Sequence, residues 1–149
     1  MSTRSTIAVK QSDGTYMTVY SHWNGYPSWN GRILLHHYQN RRKINRLIAQ
    51  GYISILRENV GRKHDFNAYL TERDKTPAEI YNWTTFYGRD RGEKDIDAVQ
   101  HTLIQSLNID NNSEYVYVFK DGKWYFLEKN RDINKPRDLK LLTEKDIKE

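Results

Sequence analysis

The chain has 149 residues, a net charge of +5 and no cysteine. That length suits one domain with its own core, and the lack of thiols excludes a disulfide framework, a thiolate metal site and a cysteine nucleophile. No run approaches the ~18 apolar residues of a membrane span, and residues 1–6 carry no apolar leader core, so a cytoplasmic protein with no membrane partner is expected.

Charged residues make up 29% of the chain and both signs are interspersed. The positive excess either steers anionic partners, nucleotides and nucleic acid among them, or simply solvates a basic surface. Tyrosine is abundant at eleven against four phenylalanines, which suits positions with a packed ring and a wet hydroxyl.

Ser5 to Lys10 and Tyr16 to His22 read as a first hairpin turning near Asp13-Gly14. Arg32 to Tyr38 follows as a helix. Arg41 to Gln50 is a second, with Ile44, Leu47 and Ile48 on one face, Asn40 as cap and Gly51 as stop. Residues 57–75 read as a polar, irregular excursion. Thr76-Pro77-Ala78-Glu79 is a capping box that starts a helix. Trp83 to Tyr87 reads as a short strand leading into Gly88. Ile96, Val99, Leu103 and Leu107 recur at helical spacing, with Asp95 or Asp97 at the start of that helix.

Glu114 to Lys120 and Lys123 to Glu128 form a second hairpin around Asp121-Gly122, and Thr143 to Asp146 starts a short terminal helix. Tyr115, Tyr117 and Phe119 alternate with Val116 and Val118, so neither face of that strand is polar. The sheet is therefore covered on both faces, or leaves one aromatic face to a partner. The two hairpins are candidate neighbours in one sheet. The expectation is a single α+β domain over residues 1–149, with an antiparallel sheet of about five strands packed with three to four helices.

Chemistry concentrates in His22-Trp23-Asn24-Gly25-Tyr26-Pro27-Ser28-Trp29-Asn30-Gly31-Arg32. Such a loop is either a packed structural corner or a recognition surface. In the second reading Trp23, Tyr26 and Trp29 stack on a base, while Asn30, Gly31 and Arg32 meet a phosphate at a helix N-terminus. The spacing matches no phosphate-loop or dinucleotide fingerprint. Tyr87-Gly88-Arg89-Asp90-Arg91-Gly92 offers two arginines for phosphate or carboxylate, or a turn in which Asp90 pairs locally. Arg4 joins these residues if the first strand begins beside the corner. Arg41, Arg42, Lys43 and Arg46 either track a nucleic-acid backbone or form a wet helix face.

The five histidines, His36 and His37 among them, show no metal-ligand spacing, and no nucleophile elbow or cofactor motif is present. No metal and no cofactor are expected. An acid–base role for His22 with Asp90 or Glu93 would make the protein a nucleotide phosphodiesterase-like enzyme; a buried, satisfied histidine is the plainer account.

Thr3-Arg4-Ser5-Thr6-Ile7, His22-Trp23-Asn24-Gly25-Tyr26-Pro27, and Gly31 with Leu34-Leu35 and His37-Tyr38 resemble a family of small uncharacterised proteins of tailed bacteriophages and prophages. The likeness covers about the first third of the chain, and Phe86 to Gly92 is in keeping with it. Family members commonly carry aspartate where this chain has Asn24, a departure that weakens a catalytic reading. The resemblance implies a phage origin, the host bacterial cytoplasm and, by association, a counter-defence role. The expected function is a homo-oligomeric binding protein that sequesters a nucleotide-like ligand without turnover. The alternatives are a protein that blocks a host protein or nucleic acid, and the enzyme above.

Overall fold

The computed structural model describes residues 3–63, 82–107, 113–129 and 139–148. The strands are β1 (Ser5–Lys10), β2 (Tyr16–Ser21), β3 (Ile53–Ile55), β4 (Thr85–Phe86), β5 (Val99–His101), β6 (Tyr115–Lys120), β7 (Lys123–Glu128) and β8 (Lys140–Leu141). The helices are α1 (Arg32–His37), entered through a π-helical turn at Pro27–Gly31, α2 (Arg41–Ala49) and α3 (Leu103–Leu107).

Both hairpins form as their turn residues require. Gly14 has φ +87°, and Asp121 and Gly122 both adopt the positive φ of a tight two-residue turn. The hairpins also lie side by side, because β1 pairs with β6 from Ser5↔Tyr115 to Val9↔Phe119. That pairing is parallel, and so is the contact between β2 and β3. The sheet runs β4-β3-β2-β1-β6-β7-β8, with β5 beside β2. The expected antiparallel sheet of about five strands is thus a larger, mixed one of eight, since parallel neighbours are joined by long crossovers that leave no local signal.

Val99 also departs from the expectation. The helical spacing over Ile96 to Leu107 breaks, Val99–His101 pairs with Tyr16–Thr18, and only Leu103–Leu107 is helical. Asp95 and Asp97 consequently precede a strand rather than a helix. At the other end, residues 144–147 form a turn instead of a helix, with Thr143 bonded through backbone and hydroxyl to Asp146 at 2.8 Å each. The capping box at Thr76 lies outside the described residues.

The sheet is covered on both faces. Ile7, Val9, Val19, Tyr117, Phe119 and Trp124 pack against Ile33, Leu34 and Tyr38 and against Ile44, Leu47 and Ile48 of α2. On the opposite face Ala8, Tyr16, Val116, Val118 and Leu127 are covered by Leu103, Leu107 and Leu139. Asn40 caps α2 by accepting from the Arg42 backbone N–H at 2.8 Å, and Gly51 ends the segment with φ +81°. Among the described residues no helix is long and apolar enough to cross a membrane.

Candidate anion and aromatic ligand site

The corner after β2 is pinned from three sides. Asn24 takes φ 58°, its side-chain oxygen accepts from the Tyr26 hydroxyl at 3.2 Å, and its carbonyl accepts from the Asn30 N–H. Gly25 donates to the Thr3 carbonyl at 2.7 Å, and a Cβ there would sit 2.8 Å from the Arg4 carbonyl carbon. The buried Tyr117 hydroxyl donates to the Gly25 carbonyl at 2.6 Å. This close approach sets the segment before β1 against the corner and brings Arg4 to it.

The second half of the corner serves the interior. Its helical turn begins at Pro27, so Asn30, Gly31 and Arg32 lie inside a helix rather than at its start. The Arg32 N–H bonds back to the Pro27 carbonyl, and no phosphate cradle of the expected kind forms. Asn30 is fully buried and donates to Ser5 Oγ at 3.0 Å and Ser21 Oγ at 3.2 Å. Gly31 leaves room for the Tyr117 ring, which a Cβ would meet at 3.3 Å. Trp29 donates its indole N–H to the Leu56 carbonyl, and Arg32 bonds to the Ser28 carbonyl while lying 5.8 Å from the Trp29 ring.

The first half faces outward. Strand alternation places Tyr20 on the face of Tyr16, away from α1 and α2, and Thr6 is its partner on β1. The Tyr20 hydroxyl lies 2.6 Å from His22 Nδ1. Around this pair the rings converge: Tyr52 at 5.6 Å from Tyr20, and Trp23 at 4.8 Å and Tyr87 at 6.4 Å from His22, all edge-on. Trp23 is 45% exposed. Arg91 lies 4.9 Å from the centre of the Tyr87 ring and 3.3 Å from Glu93.

Electrostatics distinguish this cluster from an ordinary aromatic patch. Burial lowers the His22 pKa, and the charges of Arg4 and Arg91 lower it further, so the imidazole is neutral near pH 7. Burial raises the Tyr20 pKa, opposed by the Arg4 charge and by a hydrogen bond from Arg4. The Arg4 guanidinium, which only donates, thus acts on both members of the Tyr20–His22 pair. Among the described residues His22 Nε2 makes no hydrogen bond. Arg4 Nε is itself buried without a hydrogen-bond partner. The site therefore offers donors and positive charge beside aromatic rings.

Of the residues singled out in the sequence, the fold brings Arg4, His22, Trp23, Tyr87 and Arg91 together. Asn24 and Tyr26 shape the loop beneath them. Trp29, Asn30, Gly31 and Arg32 are turned to internal contacts. Arg89 is too: it bonds to Asp90, to the carbonyls of Val60 and Gly61, and to that of Thr84. Asp90 is a fully buried carboxylate that also accepts from the Phe86 N–H. Two members of the cluster, Tyr20 and Tyr52, escaped the sequence reading; the alternation of Tyr16, Thr18, Tyr20 and His22 along one face was the available signal. Among the described residues no three His, Asp or Glu side chains gather as a metal site. No family model matches the chain, and no curated protein or solved structure shows significant similarity to it.

Proposed function

We propose that this protein is a phage-encoded binding protein of the host cytoplasm that sequesters a nucleotide-like, phosphorylated ligand without turnover, in a counter-defence role. The observation that carries the ligand class is the joint field of Arg4 and Arg91 on His22, at a place where Trp23 is half exposed. Phosphate oxygens accept from Arg4, Arg91 and His22 Nε2, and the base stacks on Trp23. Sequestration is favoured over hydrolysis because the charged groups acting on His22, Arg4 and Arg91, are donors that bind an anion. Glu93 is held by Arg91 at 3.3 Å.

Native mass spectrometry with linear and cyclic nucleotides tests this reading. An intact adduct of defined stoichiometry is expected, weakened in Trp23→Ala and Arg91→Ala. Product masses would replace it with the phosphodiesterase-like reading. Neither adduct nor product would leave the blocking of a host macromolecule.

A further inference from the structure

A second basic feature lies away from the aromatic cluster. Arg42, Lys43 and Arg46 of α2, with Asn40, face Asn59, Val60 and Gly61 across an open groove of about 400 Å³. Among the described residues no carboxylate lies within 4.0 Å of any of the three cations. Glu58, the acid nearest to the groove in sequence, is engaged 3.7 Å from His37, and its backbone carbonyl rather than its carboxylate accepts from Lys43 Nζ at 2.7 Å. Lys43 lies 4.4 Å from the Tyr38 ring centre and is half buried. Burial, reinforced by the charge of Arg46, lowers its pKa, and Glu58 opposes that shift.

Among the described residues these cations repel one another without a compensating acid. Arg42 and Arg46 are like charges at i and i+4, a spacing that destabilises a helix. The first turn of α2 holds no acid, and Arg41, Arg42 and Lys43 there run against the helix dipole. The Arg42 N–H is already capped by Asn40, so attraction in the groove comes from side chains and not from the helix end.

We propose that this groove binds the phosphodiester backbone of a nucleic acid. The groove is open and polar, and the rings beside it among the described residues are Tyr38, buried under Lys43, and Trp83, packed against Gly61 and Arg62. Contact through Arg42, Lys43 and Arg46 is with phosphates and independent of sequence. Arg42 and Arg46 reach the backbone from the exposed helix face, while Lys43, held by Tyr38 and the Glu58 carbonyl, is a fixed point between them. The site is separate from the aromatic cluster and does not rest on the nucleotide reading.

Fluorescence anisotropy with a labelled duplex DNA and a labelled single-stranded RNA tests the proposal over 50 to 200 mM salt. Neutralising one phosphate with each of the three cations gives a log–log salt slope of about −2.7 on duplex DNA and about −2.1 on single strands. Duplex affinity then falls by about 40-fold across that range. The Arg42→Gln/Arg46→Gln variant, whose changes lie on an exposed helix face, should flatten the duplex slope to about −0.9 with an unchanged circular dichroism spectrum. The probe that shows the steeper loss on mutation identifies DNA or RNA as the source of the backbone. Binding absent at 50 mM salt, or a slope unchanged in the double variant, overturns the proposal. So does a slope that responds to Arg91→Ala instead, which would place the phosphates at the aromatic cluster.

Discussion

The Tyr20 hydroxyl meets His22 Nδ1 at 2.6 Å, and the charge of Arg4 acts on both groups. Burial and the charges of Arg4 and Arg91 disfavour protonation of the imidazole. An anion reverses that balance, because its negative charge offsets the repulsion.

Titration of His22 should show this directly. Its folded pKa is depressed, so the unfolded state binds more protons below about pH 6.5. The stability contribution is constant above that value and is lost as pH falls toward the depressed folded pKa. Denaturation midpoints at roughly pH 5.5 and 7.5 should therefore differ less in His22→Gln than in the wild type. In NMR, the His22 ring should titrate below its ordinary value when free and at a higher pH when a nucleotide is bound. A titration unmoved by ligand would argue against contact.

Trp23→Ala separates recognition from folding. The indole is 45% exposed, so its loss should leave the melting temperature within a degree or two. Loss of stacking of about 1–3 kcal/mol should reduce nucleotide affinity by roughly 5- to 150-fold, as read by calorimetry.

Arg89→Ala should behave in the opposite way. It removes the bonds to three backbone carbonyls and deprives the buried Asp90 carboxylate of its guanidinium. Truncating one partner of a buried pair costs about 3–5 kcal/mol, so urea unfolding should shift strongly. Asp90→Asn added to Arg89→Ala should recover part of that loss.

The two arginines of Arg89-Asp90-Arg91 show where sequence reading stops. Both have the residue type and the glycine-bounded setting that suit phosphate. Only the fold reveals that Arg89 meets carbonyls from Val60, Gly61 and Thr84, in segments that no local pattern links to it. The hairpins were legible because Asp-Gly determines a turn within four residues. That the hairpins are neighbours was legible too, but the parallel sense of Ser5 with Tyr115 was not, because a long crossover joins those strands. Tyr20 looked like ordinary strand filler, although its register with His22 was already visible in the alternation.

Gly25→Ala tests the link between fold and site. The new methyl would press on the Thr3 and Arg4 backbone at 2.8 Å and push the head of β1 off the corner. Overpacking of this kind costs about 1–3 kcal/mol. Because Arg4 moves with that segment, nucleotide affinity should fall together with stability. Gly14→Ala is the contrast, since nothing lies within 4 Å of its added Cβ and its cost is confined to a φ of +87°; binding should survive.

The central claim is that positive charge and an aromatic face act on one ligand at His22. Isothermal titration of wild type and Arg91→Ala, each with a nucleoside 5′-triphosphate and with the matching nucleoside, tests it most directly. The triphosphate should bind wild type more tightly than the nucleoside does. Arg91→Ala should remove most of that difference and leave the weak nucleoside affinity unchanged. Equal affinities for the two ligands in wild type, or a difference that persists in Arg91→Ala, would contradict it.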